Sequence, residues 1–213
     1  MSGFPIVLVD LANTPCVVIG GGEVAARKAA ALSEAGARPV VISPSLCEAL
    51  EHQAQRGEID VILRAYQPGD LAGARLAIAA TNDAATNQAV WREAQMVGCL
   101  INVVDDPGRC NFYIPATVRR GALTIGISTA GRSPALAARI RQDLESRFGE
   151  EYSALVDILG ELRERTNDLC PPGKRRDLWY ALVDSDMLEL LREGKEQEAR
   201  ETAASIVNAC LRE

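Results

Sequence analysis

The sequence predicts an α/β protein: a parallel sheet with helices on both faces, then a short β segment, then an all-α tail. Three observations carry that prediction. Short runs that are apolar throughout alternate with helical patterns over the first half; a triple glycine stands between the first such run and the first helix; and beyond Glu150 only helical periodicity remains. Strands without polar alternation, separated by helices, are buried on both faces, which is the signature of a parallel sheet.

Residues 14–19 (TPCVVI) are β-branched and apolar and run straight into Gly20-Gly21-Gly22. Residues 24–35, rich in alanine, form the first helix, which Gly36 ends. Residues 38–43 (RPVVIS) read as a second strand, 46–55 as a helix, 59–64 (IDVILR) as a third strand and 76–80 (LAIAA) as a fourth. A helix over 87–97 and a fifth strand over 100–104 (LINVV) complete the repeat. After Pro107 the pattern changes. Residues 112–118 and 123–127 (LTIGI) are short strands joined through Arg119-Arg120-Gly121, a hairpin rather than another βαβ unit. Ser133 then caps a helix over 135–148, with Pro134 in the first turn where its missing N–H costs nothing. The tail reads as about three helices, with breaks at Cys170-Pro171-Pro172-Gly173 and near Glu193-Gly194.

A chain of 213 residues holds one large domain or two modest ones. Its net charge of -6 and pI near 5.0 argue against a dedicated nucleic-acid binder, but not against anionic small molecules. The charge is uneven. Residues 1–106 carry 7 basic and 12 acidic side chains, residues 107–149 carry 7 and 2, and residues 150–213 carry 9 and 15. An acidic protein thus has a cationic middle. No basic leader and no apolar run of spanning length is present, so no membrane association and a cytoplasmic location are expected. Six scattered cysteines without a C-x-x-C pair, and one histidine, give free thiols and no preformed metal site.

Gly20-Gly21-Gly22-Glu23-Val24-Ala25 fits G-x-G-x-x-A, the turn that binds dinucleotides. Gly20 makes the tight strand-to-helix turn, Gly22 lets the backbone approach a pyrophosphate, and Ala25 permits close packing. The N–H groups of Glu23 and Val24, at the positive end of the helix, face the phosphates. The acidic residue expected some 20 positions on, to hold the ribose 2′-hydroxyl, is missing: the second strand ends Ile42-Ser43-Pro44. Ser43 offers a hydroxyl there and no arginine is placed for a 2′-phosphate, so NAD is expected over NADP. Thr81 and Asn82, at the end of the fourth strand, lie on the edge where open sheets bind ligands. Asp105 and Asp106 end the fifth strand at the same edge, as turn formers before Pro107 or as a placed general base.

These residues resemble the siroheme synthase family. The resemblance rests on Gly20-Gly21-Gly22-Glu23-Val24-Ala25-Ala26-Arg27-Lys28, Ala79-Ala80-Thr81-Asn82-Asp83, Asn102-Val103-Val104-Asp105-Asp106-Pro107, and Ser128-Thr129-Ala130-Gly131-Arg132-Ser133-Pro134 with Arg139. It covers residues 4–149. It implies a Rossmann-like NAD domain (1–112), a central dimerisation and substrate-contact region (113–149) and a C-terminal helical domain (150–213), in an intertwined homodimer. It also implies NAD-dependent oxidation of precorrin-2 to sirohydrochlorin, followed in some members by Fe²⁺ insertion to give siroheme.

The resemblance places the family's key aspartate on Asp105; substrate contacts are expected at Asn102, Thr129, Arg132, Ser133 and Arg139. Loss of a hydride and a proton from a reduced tetrapyrrole needs at least one carboxylate near the nicotinamide, which agrees with Asp105 as the acid/base. The implied substrate carries eight carboxylates, and Arg109, Arg119, Arg120, Arg132, Arg139 and Arg141 are candidates to meet them. Two other readings compete: a non-catalytic NAD-sensing module, which would need neither Asp105 nor the arginines, and a dehydrogenase without chelatase activity.

Overall fold

The computed structural model describes residues 3–166, 170 and 172–212. The chain divides into two compact units, Met1–Ile114 and Pro115–Glu213.

The first unit contains β1 (Cys16–Ile19), α1 (Glu23–Glu34), β2 (Val40–Ser43), α2 (Glu48–Gln55), β3 (Asp60–Leu63), β4 (Leu76–Ala79), α3 (Ala84–Val97) and β5 (Leu100–Val103). All five strands are parallel, in the order β3-β2-β1-β4-β5. The expected Rossmann-like sheet is therefore present. The strand order, not the chain direction, reverses between β1 and β4, so their carboxyl ends open the crevice where such sheets bind ligands.

Two apolar layers hold the sheet. On one face Val18, Val41 and Ile78 pack with Ala25, Ala26, Ala29 and Leu32 of α1 and Leu50 of α2. The alanines of α1 let that helix lie close to the strands. On the other face Val17, Ile19, Ala77 and Ile101 pack with Val90 and Ala94 of α3. Each buried valine or isoleucine stabilises the unit by about 1.5–3 kcal/mol relative to exposure. Strand β3 departs from the expected two-sided burial: Leu63 is 69% exposed, because β3 ends the sheet. No helix covers the link from β3 to β4. It is pinned instead by the Arg64–Asp70 ion pair at 2.6 Å and by buried Glu93, whose carboxylate accepts from the Tyr66 hydroxyl and, at 2.8 Å, from Leu71 N–H.

The second unit begins with an antiparallel hairpin, β6 (Ala116–Arg120) and β7 (Leu123–Ile127), followed by α4 (Pro134–Arg147). Two expectations change here. Residues 112–115 are not strand, and Arg119 and Arg120 lie within β6 rather than in the loop. The loop is Gly121-Ala122, and Gly121 takes φ +54°, a left-handed conformation that glycine adopts without cost. The cap of α4 is as expected: Ser133 Oγ accepts from Leu136 N–H at 3.3 Å, with Pro134 in the first turn.

Among the described residues the tail holds four helices where about three are expected: α5 (Glu151–Thr166), α6 (Pro172–Val183), α7 (Met187–Arg192) and α8 (Glu196–Arg212). The extra break falls at Asp184 to Asp186, between α6 and α7, and the break at Gly194 is where it is expected. The break at Cys170 to Gly173 lies partly outside the described residues, and α6 already begins at Pro172. These helices share a core of Leu155, Ile158, Leu162, Leu178, Leu182, Met187 and Ala203. No described helix is long and apolar enough to cross a membrane.

Candidate functional site

The three glycines after β1 do different work. Gly20 has φ +127°, and a Cβ there would lie 2.3 Å from the carbonyl oxygen of Ala80 at the end of β4. A Cβ on Gly21 would lie 1.8 Å from Ser45 O, because the loop after β2 folds onto this turn; Cys47 N–H donates to Gly21 O at 2.7 Å. Gly22 is the N-cap of α1, with no side-chain cap, and a Cβ on it would meet nothing within 4 Å. The space in front of the helix N-terminus is thus open while the backbone behind it is tightly packed. A dinucleotide pyrophosphate fits that cradle, met by the N–H groups of the first turn, where Glu23 and Val24 stand.

Ser43 has its hydroxyl proton engaged within the loop. Its hydroxyl donates to Ser45 O at 2.7 Å and the residue is buried, so it shapes the loop against Gly21 and its proton is not available to a ribose. Pro44 next to it is exposed. At the end of β4, Thr81 Oγ1 donates to Asn87 Oδ1 at 2.8 Å and Asn87 Nδ2 donates to Thr81 O at 2.9 Å, while Asn82 is exposed. Asp83 caps α3 through Ala85 and Thr86 N–H, bonds that hold its carboxyl below the usual range, with the Thr86 hydroxyl contributing most.

The end of β5 separates the two adjacent aspartates. Asp106 accepts from Arg109 at 2.5 Å and is committed to that pair. Asp105 is exposed, with no hydrogen bond to its carboxylate among the described residues, and takes φ +59°. Asn102 is buried, and Nδ2 donates to Phe112 O at 3.1 Å, so it ties the following segment to the sheet.

Two residues emerge beside Asp105 that the sequence reading used only as a helix former and a free thiol. Lys28 of α1 is half-buried, and that burial pulls its ammonium below the ordinary range, helped by Arg27 and opposed by the Asp105 carboxylate. Cys110 bonds the backbone around Asp105, and burial raises its thiol.

In the second unit, the turn from Ser128 to Ser133 is built on itself. Ala130 and Gly131 take φ +51° and +75°, Ala130 N–H donates to Ser128 Oγ at 3.2 Å, and Ser133 N–H donates to Thr129 Oγ1 at 3.0 Å. Arg132 is exposed. Three candidate arginines are committed: Arg109 to Asp106, Arg120 to Glu150 at 3.3 Å and Arg141 to Glu145. Arg139 is the freer one. Its pair with Asp143 is 3.5 Å long and both side chains are more than half exposed, a geometry that contributes little in water.

A parallel sheet opened at its reversal point by a glycine cradle and a helix N-terminus defines a dinucleotide-binding α/β protein. Residues 7–116 match the family described as "Putative NAD(P)-binding", residues 120–147 "Sirohaem biosynthesis protein central" and residues 151–206 "Sirohaem synthase dimerisation region". The chain belongs to the siroheme synthase family. It is 38% identical over 205 residues to the siroheme synthase of Nitrosospira multiformis, covering 94% of this chain and 43% of that protein. It is 36% identical over 214 residues to that of Methylococcus capsulatus, covering 100% and 45%. The chain therefore spans less than half the length of these curated relatives. The solved structure of "SirC, precorrin-2 dehydrogenase" aligns with a TM-score of 0.78 at 27% identity, over 95% of this chain and 100% of that one.

Proposed function

We propose that the protein is an NAD-dependent dehydrogenase that oxidises precorrin-2 to sirohydrochlorin. The observation that carries this reading is the edge itself: an open cradle at Gly22 and a free carboxylate at Asp105 stand at the carboxyl ends of strands of one sheet. Gly20 and Gly22 with the first-turn N–H groups of Glu23 and Val24 receive the pyrophosphate. Pro44 and the loop shaped by Ser43 flank the adenosine ribose, without an acidic group, and Thr81 and Asn82 line the side of the nicotinamide ribose. The chemistry supplied by bound NAD is acceptance of a hydride from the tetrapyrrole. Asp105 takes the accompanying proton on its carboxylate, so that substrate loses one hydride and one proton in balance. Asn102 serves by holding the edge, and Thr129, Arg132, Ser133 and Arg139 receive substrate carboxylates.

The name of the solved relative, which this chain covers from end to end, supports the dehydrogenase reading, and those of the curated relatives support a role in siroheme synthesis. The same support extends to a homodimer, through the dimerisation match at 151–206, and to regions 1–112, 113–149 and 150–213 as functional divisions. A cytoplasmic location goes with cysteines that stand as thiols, such as Cys16, Cys99 and Cys110.

The test follows sirohydrochlorin absorbance from precorrin-2 with and without NAD. Absorbance that rises only with NAD is expected, and no change on adding NAD overturns the reading. Asp105→Ala is expected to lower kcat at least 100-fold with NADH binding, read by fluorescence titration, unchanged. Adding Fe²⁺ or Co²⁺ to the product asks whether metal insertion follows, a step that would also draw on Asp105.

A further inference from the structure

The backbone that carries Asp105 is strained. Asp106 N–H donates to Val103 O at 3.2 Å, closing a four-residue turn in which Asp105 is third, with φ +59°. That position of a turn with a positive φ favours glycine or asparagine. An aspartate adopts that conformation less readily than glycine, so contacts that hold the turn decide where its carboxylate points.

Cys110 holds the turn from below. Its Sγ accepts from Val103 N–H at 3.3 Å and from Asn102 Nδ2 at 3.6 Å. Its single S–H proton can be donated to Val103 O or to Asp106 O, each 3.2 Å from Sγ. One side chain therefore grips both ends of the turn. Burial, which raises the thiol, keeps it neutral and able to donate. The neighbouring Asn111 fastens the strand beneath: its Oδ1 accepts from Ile101 N–H at 2.7 Å and its Nδ2 donates to Cys99 O at 3.2 Å, mimicking a missing sixth strand beside β5.

We propose that Cys110 is the positioning residue for Asp105: its thiol clamps the turn at Val103 and Asp106 and so fixes the direction in which the Asp105 carboxylate meets substrate. This inference rests on Asp105 being the proton acceptor, as read above. Cys110 touches no substrate and performs no redox step.

The experiment uses the full-length chain and scores dehydrogenation rates per NADH-binding site, so that any misfolded fraction drops out. Cys110→Ala is expected to lower kcat about tenfold or more while leaving NADH affinity within twofold. Cys110→Ser, which keeps a donor and an acceptor, should restore kcat to within about threefold of the parent and serves if the alanine variant folds poorly. In an Asp105→Ala background, Cys110→Ala should cost nothing more, since the group it positions is gone. Parent-like kcat in Cys110→Ala, or an equal further loss in the Asp105→Ala background, overturns the proposal. If Asp105→Ala itself keeps full kcat, the catalytic reading of Asp105 falls, which is a separate and distinguishable result.

Discussion

The glycine edge of the first unit and the arginine-rich start of the second were both singled out by sequence, yet they hold their chemistry in different ways. At the edge the working parts are backbone: the N–H groups before α1 and the space that Gly22 leaves. In the arginine-rich segment the working parts are side chains that can pair with anything acidic nearby, and Arg109, Arg120 and Arg141 already have. Residue spacing dictates where a backbone goes. A count of charges does not dictate which of them remain available.

Substitutions within the glycine triplet probe that contrast most strongly. Gly21→Ala drives a methyl to 1.8 Å from Ser45 O, which only a backbone shift relieves, so the thermal midpoint and NADH affinity should fall together. Gly22→Ala builds into open space at an ordinary φ of −90°. It should leave the melting temperature within about 2 °C, yet weaken NADH binding by about 50-fold or more in a fluorescence titration. Normal binding by Gly22→Ala would mean the phosphates sit elsewhere.

Sequence legibility follows the same division. The sheet and the glycine cradle were readable because apolar runs and a G-x-G-x-x-A spacing are local, and so was the Ser133-Pro134 cap. Burial of the Ser43 hydroxyl against Ser45 O and of Asn102 against Phe112 O was not readable, since both depend on how a loop folds back on a strand end. Cys110 was invisible for the same reason: a thiol seven residues beyond Val103 bonds it only because the intervening chain makes a turn. The fourth tail helix was missed at the break between Asp184 and Asp186, where neither glycine nor proline marks the chain.

The arginines give a smaller effect and a sharper comparison. Arg139→Glu should raise KM for the tetrapyrrole about tenfold, because its 3.5 Å exposed pair with Asp143 leaves it available to a substrate carboxylate. Arg141→Ala, two residues along α4 and committed to Glu145, should change KM less than twofold. Neither should alter NADH affinity. Equal effects of the two on KM would show that their pairing in the free protein does not govern substrate contact.

The smallest effect concerns the turn before α4, where the second unit does rely on backbone. Ala130 takes φ +51° and is followed by Gly131 at φ +75°. An L-residue in that region costs about 1–2 kcal/mol, while replacing alanine with glycine frees the unfolded chain and returns about 0.4–1 kcal/mol of that gain. Ala130→Gly should therefore stabilise by up to about 1 kcal/mol, seen as a higher urea midpoint at an unchanged slope. The hydrogen bonds from Ala130 N–H to Ser128 Oγ and from Ser133 N–H to Thr129 Oγ1 would persist, since none uses the methyl group. A lower midpoint would mean that the Ala130 methyl makes a contact worth more than its strain, and that this turn, unlike the glycine cradle, is specified by a side chain.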